Sequence, residues 1–335
     1  MEYTVLVTGG AGFIGSHVVD ELVGLGCKVI VLDDLSGGFR ENINGNASFI
    51  KGSINNHGLV NRIFHEYHFD YVFHLAAYAA EGLSHFIKKF NYENNLVGSI
   101  NLINASVNGN SKCFVFTSSI AVYGENQLPM NEDLVPMPGD SYGIAKLSVE
   151  YELKICKEMF GLNYIIFRPH NVFGERQNIG DKYRNVIGIF MNQIMQGNPL
   201  TVFGDGEQTR AFSYIKDVSP IIAKSVLVKE AHNETFNIGA EEVYTVNELL
   251  REVCKAMGVE VRVEYLEGRN EVRHAFCSHS KIKEILGYET KYSLNEGLKN
   301  MSEWAWRIGG RRSKKFENIE IFKNIPKSWL EQSGD

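Results

Sequence analysis

Tyr142 and Lys146 stand four residues apart in Ser141-Tyr142-Gly143-Ile144-Ala145-Lys146, at the start of an expected helix. Residues i and i+4 share a helix face. A phenol titrates near ~10, too high for an efficient base at neutral pH, and a nearby ammonium favours its phenolate. The pair therefore reads as a general acid/base, Tyr142, with Lys146 as its tuner. Tyr-x-x-x-Lys alone is common on surfaces. Its weight comes from Thr117-Ser118-Ser119, which closes an apolar run at 112–116. Ligands sit at strand C-terminal ends in parallel sheets, so Ser119 is the candidate partner of a reacting hydroxyl. Ser118 is expected to serve the turn.

A second constellation opens the chain. Thr8-Gly9-Gly10-Ala11-Gly12-Phe13-Ile14-Gly15 places glycines at 9, 12 and 15 between a strand and a helix. Such a turn lets backbone approach a pyrophosphate, and the helix N-terminus offers free N–H groups to it. Asp33 ends the next strand. A carboxylate there accepts hydrogen bonds from a ribose 2′-hydroxyl and repels a 2′-phosphate, which favours NAD over NADP. Asp34 is adjacent, but strand alternation points only one of the two at the ribose. Oxidised nicotinamide adds a further positive charge favouring the Tyr142 phenolate, and Lys146 then also anchors the ribose.

The elements that position these groups alternate. Apolar strand-like runs at 4–8, 28–32, 48–51, 70–75, 112–118 and 163–168 are separated by helical patterns at 13–25, 59–67, 97–107 and 142–160. Repeated βα units imply an α/β, doubly wound parallel sheet of the Rossmann type. The pattern weakens over 175–216 and roughly 255–310. Residues 1–174 with about 217–254 therefore read as the NAD-binding domain, and the two weaker stretches as a smaller, discontinuous substrate-binding lobe. Residues 311–335 read as a tail whose charge run, Arg311-Arg312-Ser313-Lys314-Lys315, is expected to be solvated.

The 335 residues carry a net charge of -6, so a bulk basic surface for nucleic acid is not expected. Five isolated cysteines without a CxxC fit a reducing, cytoplasmic setting. The N-terminus lacks a signal-peptide pattern, and no apolar stretch approaches a membrane span. No metal site is expected.

Together, GGAGFIG, HLAA (74–77), SSIAVYG (118–124), SYGIAK, RPHNVFG (168–174) and FGDGEQTRAFSYIKDV (203–218) resemble the NAD-dependent sugar epimerase/dehydratase family of extended short-chain dehydrogenases/reductases. The resemblance covers about residues 3–300. It implies an isomerase acting on a nucleotide-diphosphate hexose of the UDP-glucose/galactose type, with N-acetylated or uronic forms open. Tyr142 would take the proton of the sugar 4-hydroxyl while NAD accepts the C4 hydride. The 4-keto sugar would turn over in the site and be reduced on its other face. Ile120 and Ala121 stand where the family's dehydratases and decarboxylases carry acids, and neither can transfer a proton, which disfavours those eliminations.

The resemblance also carries individual positions. Gly9, Gly12, Phe13, Ile14, Asp33, Ser53, Ile54, Leu75, Ala76, Ala77, Asn95 and Pro169 are expected at the cofactor, together with Tyr142 and Lys146. Ser53 replaces an aspartate that contacts adenine, and Ala79 replaces a lysine. Asn171, Asn185, Phe203 and Arg210 are expected at the nucleotide sugar, with lobe core as the competing reading of Phe203. Arg210 suits a diphosphate because its planar fork binds phosphate bidentately. Arg269 and Arg273 are both candidates for a second diphosphate arginine. Ala275 aligns with a position that limits room at C2, and its small side chain implies space for an N-acetyl group. Glu81 and His85 either read sugar hydroxyls or lie on a solvated helix face. A homodimer is expected through a four-helix interface built by the Tyr/Lys helix and the helix near 95–107. Leu147, Tyr151, Leu153 and Ile155 serve either that interface or the core. Competing readings are a nucleotide-sugar dehydrogenase or dehydratase, and a non-catalytic NAD-binding protein.

Overall fold

The structure is a computed structural model that describes residues 3–269 and 271–330. Short apolar runs form the strands of one parallel sheet: β1 Thr4–Thr8, β2 Lys28–Asp33, β3 Ser48–Lys51, β4 Tyr71–His74, β5 Cys113–Thr117, β6 Asn163–Pro169 and β7 Glu234–Ile238. Their order is β7-β6-β5-β4-β1-β2-β3, all paired in parallel. The chain winds outward from β1 in one direction, then returns to β4 and winds in the other. A crevice opens at such a switch point, outside the strands' C-terminal ends.

Both sheet faces are apolar because both are covered. Val5, Val7, Val31, Phe73, Val115 and Phe167 share one cluster with Val18, Val19 and Leu22 of α1, Phe13–Gly24. The alternate residues Leu6, Ile30, Leu32, Val72, Phe114 and Phe116 face the other way. They meet Val60 and Ile63 of α2 (His57–Tyr67), Leu102 of α3 (Gly98–Asn108) and Val149 and Leu153 of α4 (Ser141–Phe160).

The helix that carries Tyr142 and Lys146 has defined ends. Asp140 caps α4 by accepting the Gly143 N–H at 2.8 Å, and Gly161 closes it in the left-handed region at φ 77°. A carboxylate on the first-turn N–H groups stabilises a helix by about 0.5–2 kcal/mol.

Past β6, the helices α5 (Val186–Met195), α6 (Ile215–Lys224), α7 (Val246–Met257) and α8 (Leu294–Ile308) join the first cluster. Three small sheets lie here, one of which pairs Val172–Phe173 with Ser213–Tyr214. Leu200–Phe203 pairs in parallel with Val263–Leu266, and Thr209–Ala211 lies between Val243–Thr245 and His274–Ala275. Among the described residues no helix is long and apolar enough to cross a membrane.

In the charge run Arg312, Lys314 and Lys315 are exposed, as expected. Beyond it the tail packs: Trp329 is 3% exposed and Ile325 is buried, in a cluster with Tyr183, Leu83 and Ile87.

Candidate active site

One cleft of about 1080 Å³ runs along the C-terminal ends of β1, β2, β4, β5 and β6. Gly9, Gly12, Phe13 and Ile14 form one end of it. Gly9 sits at φ 71°, and a Cβ there would lie 2.7 Å from the Ala76 nitrogen. A Cβ on Gly15 would lie 2.1 Å from the Gly9 oxygen. The turn therefore closes on β4 and on its own helix only with glycine at both positions. Asp33 is buried and accepts the N–H groups of Ala11 at 3.0 Å and Leu35 at 2.8 Å. Burial pushes its carboxyl up, and those N–H groups oppose the shift. Asp34 is exposed and bonds only its own turn, so the inward residue is Asp33.

Ser53, Ile54, Leu75, Ala76, Ala77 and Pro169 also line the cleft. Asn95 does not. It is buried beneath the wall, accepting the Tyr78 N–H at 2.8 Å and donating to the Tyr78 carbonyl at 3.0 Å. The place expected for it at the cofactor is corrected to support of residue 78. The buried Thr117 hydroxyl, also on the cleft, has no partner within the protein. The glycine cradle, the inward carboxylate and this unpartnered hydroxyl fit a nicotinamide dinucleotide.

Ser119 and Tyr142 are both buried and both line the cleft. The Ser119 hydroxyl also accepts the Ala121 N–H at 3.1 Å. Burial holds the Tyr142 phenol above its ordinary range, reinforced by Glu81 and Asp140 and opposed by Ser119 and Arg184. Lys146 donates to the Thr117 carbonyl at 2.8 Å, with its nitrogen 5.7 Å from the Tyr142 ring centre. Burial pushes this lysine down to about 7, and Glu150 opposes the shift. Burial thus favours the neutral form of both groups.

A buried network underpins the pair. Glu150, one turn beyond Lys146, accepts from the Ser118 hydroxyl at 2.5 Å and bidentately from Arg168. Arg168 donates onward to the Tyr123 hydroxyl at 2.7 Å, which donates to Asn237 at 2.8 Å. Ser118 thus holds the catalytic turn to α4. Glu150 carried no sequence signal and Arg168 stood out only as the first residue of RPHNVFG, because their partners are set by the fold.

Across the cleft, Asn171, Asn185, Phe203, Arg210 and Arg269 all line its wall. Asn171 donates to the Ala211 carbonyl at 3.1 Å. Arg269 lies 4.2 Å over the Phe203 ring, with one guanidinium nitrogen buried and unpartnered. Arg210 is held on the Val272, Arg273 and Thr209 carbonyls. Arg273 is exposed, pairs with Asp205 at 2.9 Å and is off the cleft. Of the two candidates, the fold brings only Arg269 to the site. Ala275 is also corrected. It is buried with Ile120, Met130 and Cys277 and does not line the cleft.

Glu81 and His85 both line the cleft, Glu81 exposed and His85 half-buried. The cleft raises the Glu81 carboxyl, with Asp140 adding to the shift and Arg210 opposing it. Sequence reasoning missed Arg184. It pairs with Asp181 at 2.7 Å and lies 4.7 Å over the Tyr78 ring, facing the cleft. A single arginine after a loop tyrosine gives no motif to find it by.

Residues 5–239 match the NAD dependent epimerase/dehydratase family. The chain is 40% identical to the crystal structure of UDP-glucose 4-epimerase from Thermotoga maritima with UDP-glucose, at a TM-score of 0.86, covering 91% of this chain and 99% of that one. It is 34% identical to the putative UDP-glucose 4-epimerase of Methanocaldococcus jannaschii, over 90% of this chain and 97% of the relative. It is also 34% identical to UDP-N-acetylglucosamine 4-epimerase from Methanobrevibacter ruminantium in complex with UDP-N-acetylmuramic acid, with a TM-score of 0.84 and coverage of 90% and 98%.

Proposed function

The chain belongs to the NAD-dependent epimerase/dehydratase family, and from that premise we propose that it inverts C4 of a UDP-hexose. The observation that carries the reading is the buried Ser119–Tyr142 pair. It stands in one cleft between the glycine turn that fits NAD and the arginines that fit a diphosphate. Residues 1–174 with about 217–254 hold the cofactor, and 175–216 with 255–310 hold the nucleotide sugar.

When bound, NAD supplies the reversible hydride acceptor for the sugar C4. The glycine turn and Asp33 hold its diphosphate and ribose, and Lys146 anchors the nicotinamide ribose. Tyr142 takes the proton of the 4-hydroxyl, with Ser119 hydrogen-bonded to the same oxygen. Tyr142 gives the proton back once the 4-keto sugar has turned its other face. Arg210 and Arg269 keep the diphosphate fixed while the hexose turns. The burial that raises Tyr142 also excludes the water that would compete for its proton.

A second reading rests on one observation, the Glu81 carboxyl among the residues that line the cleft. An acid/base there would serve a dehydration of the 4-keto sugar. Incubation with UDP-glucose separates the readings. The epimerase gives UDP-galactose with no net absorbance at 340 nm, a dehydratase gives a 4-keto-6-deoxy sugar, and a dehydrogenase accumulates NADH.

Exposed apolar side chains on α4, Ile144, Tyr151, Ile155 and Met159, support a homodimer through that helix, while Leu153 is committed to the core. Sedimentation velocity tests it. Five free cysteines, four of them buried, support a cytoplasmic setting.

A further inference from the structure

The segment 311–330 crosses the cleft instead of leaving the molecule. Its first residue is tied to α5: the Arg311 N–H donates to Asn192 at 2.7 Å, and the Arg311 carbonyl accepts from Asn192 at 2.9 Å and Gln196 at 2.8 Å. The Arg311 guanidinium then lies 3.8 Å over the Phe39 ring and 3.5 Å from Glu41. Both belong to the loop that follows Asp33, on the cofactor's ribose side. One Arg311 guanidinium nitrogen is buried with no partner in the protein, and Arg311 lines the cleft.

Further on, the Phe316 N–H donates to the Tyr183 hydroxyl at 2.9 Å, and its ring packs 5.4 Å from Tyr78 and 5.1 Å from Phe90. Tyr78 follows directly on Leu75-Ala76-Ala77, the opposite cofactor wall. The Glu320 carboxylate accepts the N–H groups of Lys89 at 2.8 Å and Phe90 at 2.9 Å. Trp329 ends the run, buried against Phe86, Tyr183 and Gly82. The strap thus joins both walls of the dinucleotide crevice, and Arg311, Arg312, Lys314 and Lys315 of its basic run line that crevice.

We propose that residues 311–330 form a clamp on the bound dinucleotide. In it, Arg311 donates to the cofactor's phosphate–ribose backbone and Trp329 anchors the far end. The proposal rests on the NAD reading above. A cofactor that is restored in every turnover need not leave, so a strap that slows its release costs the reaction nothing. A charged donor meeting a phosphate in a partly dry crevice is a strong hydrogen bond. It is also weakened by salt.

The test is the rate at which NAD leaves the full-length, NAD-loaded protein after rapid dilution, read as nucleotide retained on gel filtration. Trp329→Ala and a chain ending at Gly310 are expected to release NAD at least tenfold faster than wild type. Arg311→Met should release it several-fold faster and lose most of the salt dependence that wild type displays, with Arg311→Lys restoring part of it. Arg311→Met leaves the apolar anchor intact, so it reports even if the shortened chain fails to fold. Variants that hold NAD as long as wild type, with an unchanged salt response, overturn the clamp alone. A wild-type chain that binds no NAD overturns the cofactor reading and the clamp with it.

Discussion

The Lys146 nitrogen lies 5.7 Å from the Tyr142 ring centre and donates its hydrogen bond to the Thr117 carbonyl, not to the phenol. Both groups are buried, and burial drives both toward their neutral forms. On the proposed mechanism, a positive charge entering the cleft favours the phenolate, and oxidised nicotinamide is such a charge. The Arg184 charge acts on the phenol in the same direction.

Tyr142→Phe keeps the buried ring and removes the proton carrier. Turnover should fall by roughly 10²–10⁴-fold, the usual worth of general acid/base catalysis. NAD content after purification should stay unchanged. Product assays and nucleotide quantitation on the same preparation check both halves.

Lys146 gives stability a pH signature. Its folded-state titration is lowered to about 7 from the ordinary lysine value of 10.5. Below about 7 the ammonium is charged in both states and its burial cost is full. Between 7 and 10.5 the unfolded chain binds the extra proton, so stability rises with pH. Lys146→Met removes this dependence. In nucleotide-free protein its advantage in melting temperature over wild type should be largest below pH 7 and shrink steadily toward pH 10.

Arg168→Ala leaves Glu150 charged and buried without its bidentate partner. Breaking such a pair costs about 3–5 kcal/mol. Denaturant titration should detect that loss, and Glu150→Met with Arg168→Met should recover much of it.

Arg269 and Arg273 should separate kinetically. Losing a hydrogen bond to a charged group costs about 1.5–3 kcal/mol. Arg269→Ala should raise KM for the UDP-sugar roughly ten- to a hundredfold by that measure. Arg273→Ala, whose partner is the exposed Asp205, should leave KM within twofold by the small worth of surface pairs.

Asp33→Ala should weaken NAD by about tenfold, the value of one charged hydrogen bond, while narrowing its preference over NADP. Equilibrium titration with the two dinucleotides measures both.

What was legible in the sequence follows from locality. The alternating apolar runs give six of the seven parallel strands in order, missing Glu234–Ile238, and the glycines, Asp33, Ser119, Tyr142 and Lys146 lie within short motifs tied to strand ends. What was hidden depends on contacts distant along the chain. Glu150 meets Arg168 and Ser118 only after α4 packs on β5 and β6. Ala275 pairs beside Arg210 but is buried in the cluster of Ile120, Met130 and Cys277. Arg311 and Trp329 read as parts of a charged tail because their partners, Phe39, Phe86 and Tyr183, lie in other parts of the sequence. Asn95 read as a cofactor contact, yet it acts one layer behind, through Tyr78.

The most direct test of the central claim follows the sugar itself. A panel of UDP-, GDP-, CDP- and dTDP-hexoses is incubated with the purified protein without added NAD, and C4 configuration is read by NMR. Inversion at C4 of a UDP-hexose, approached from either epimer and with the bound NAD unchanged at the end, is the predicted result. Retention of C4 in every sugar, or product formed only with stoichiometric NAD consumption, would contradict it.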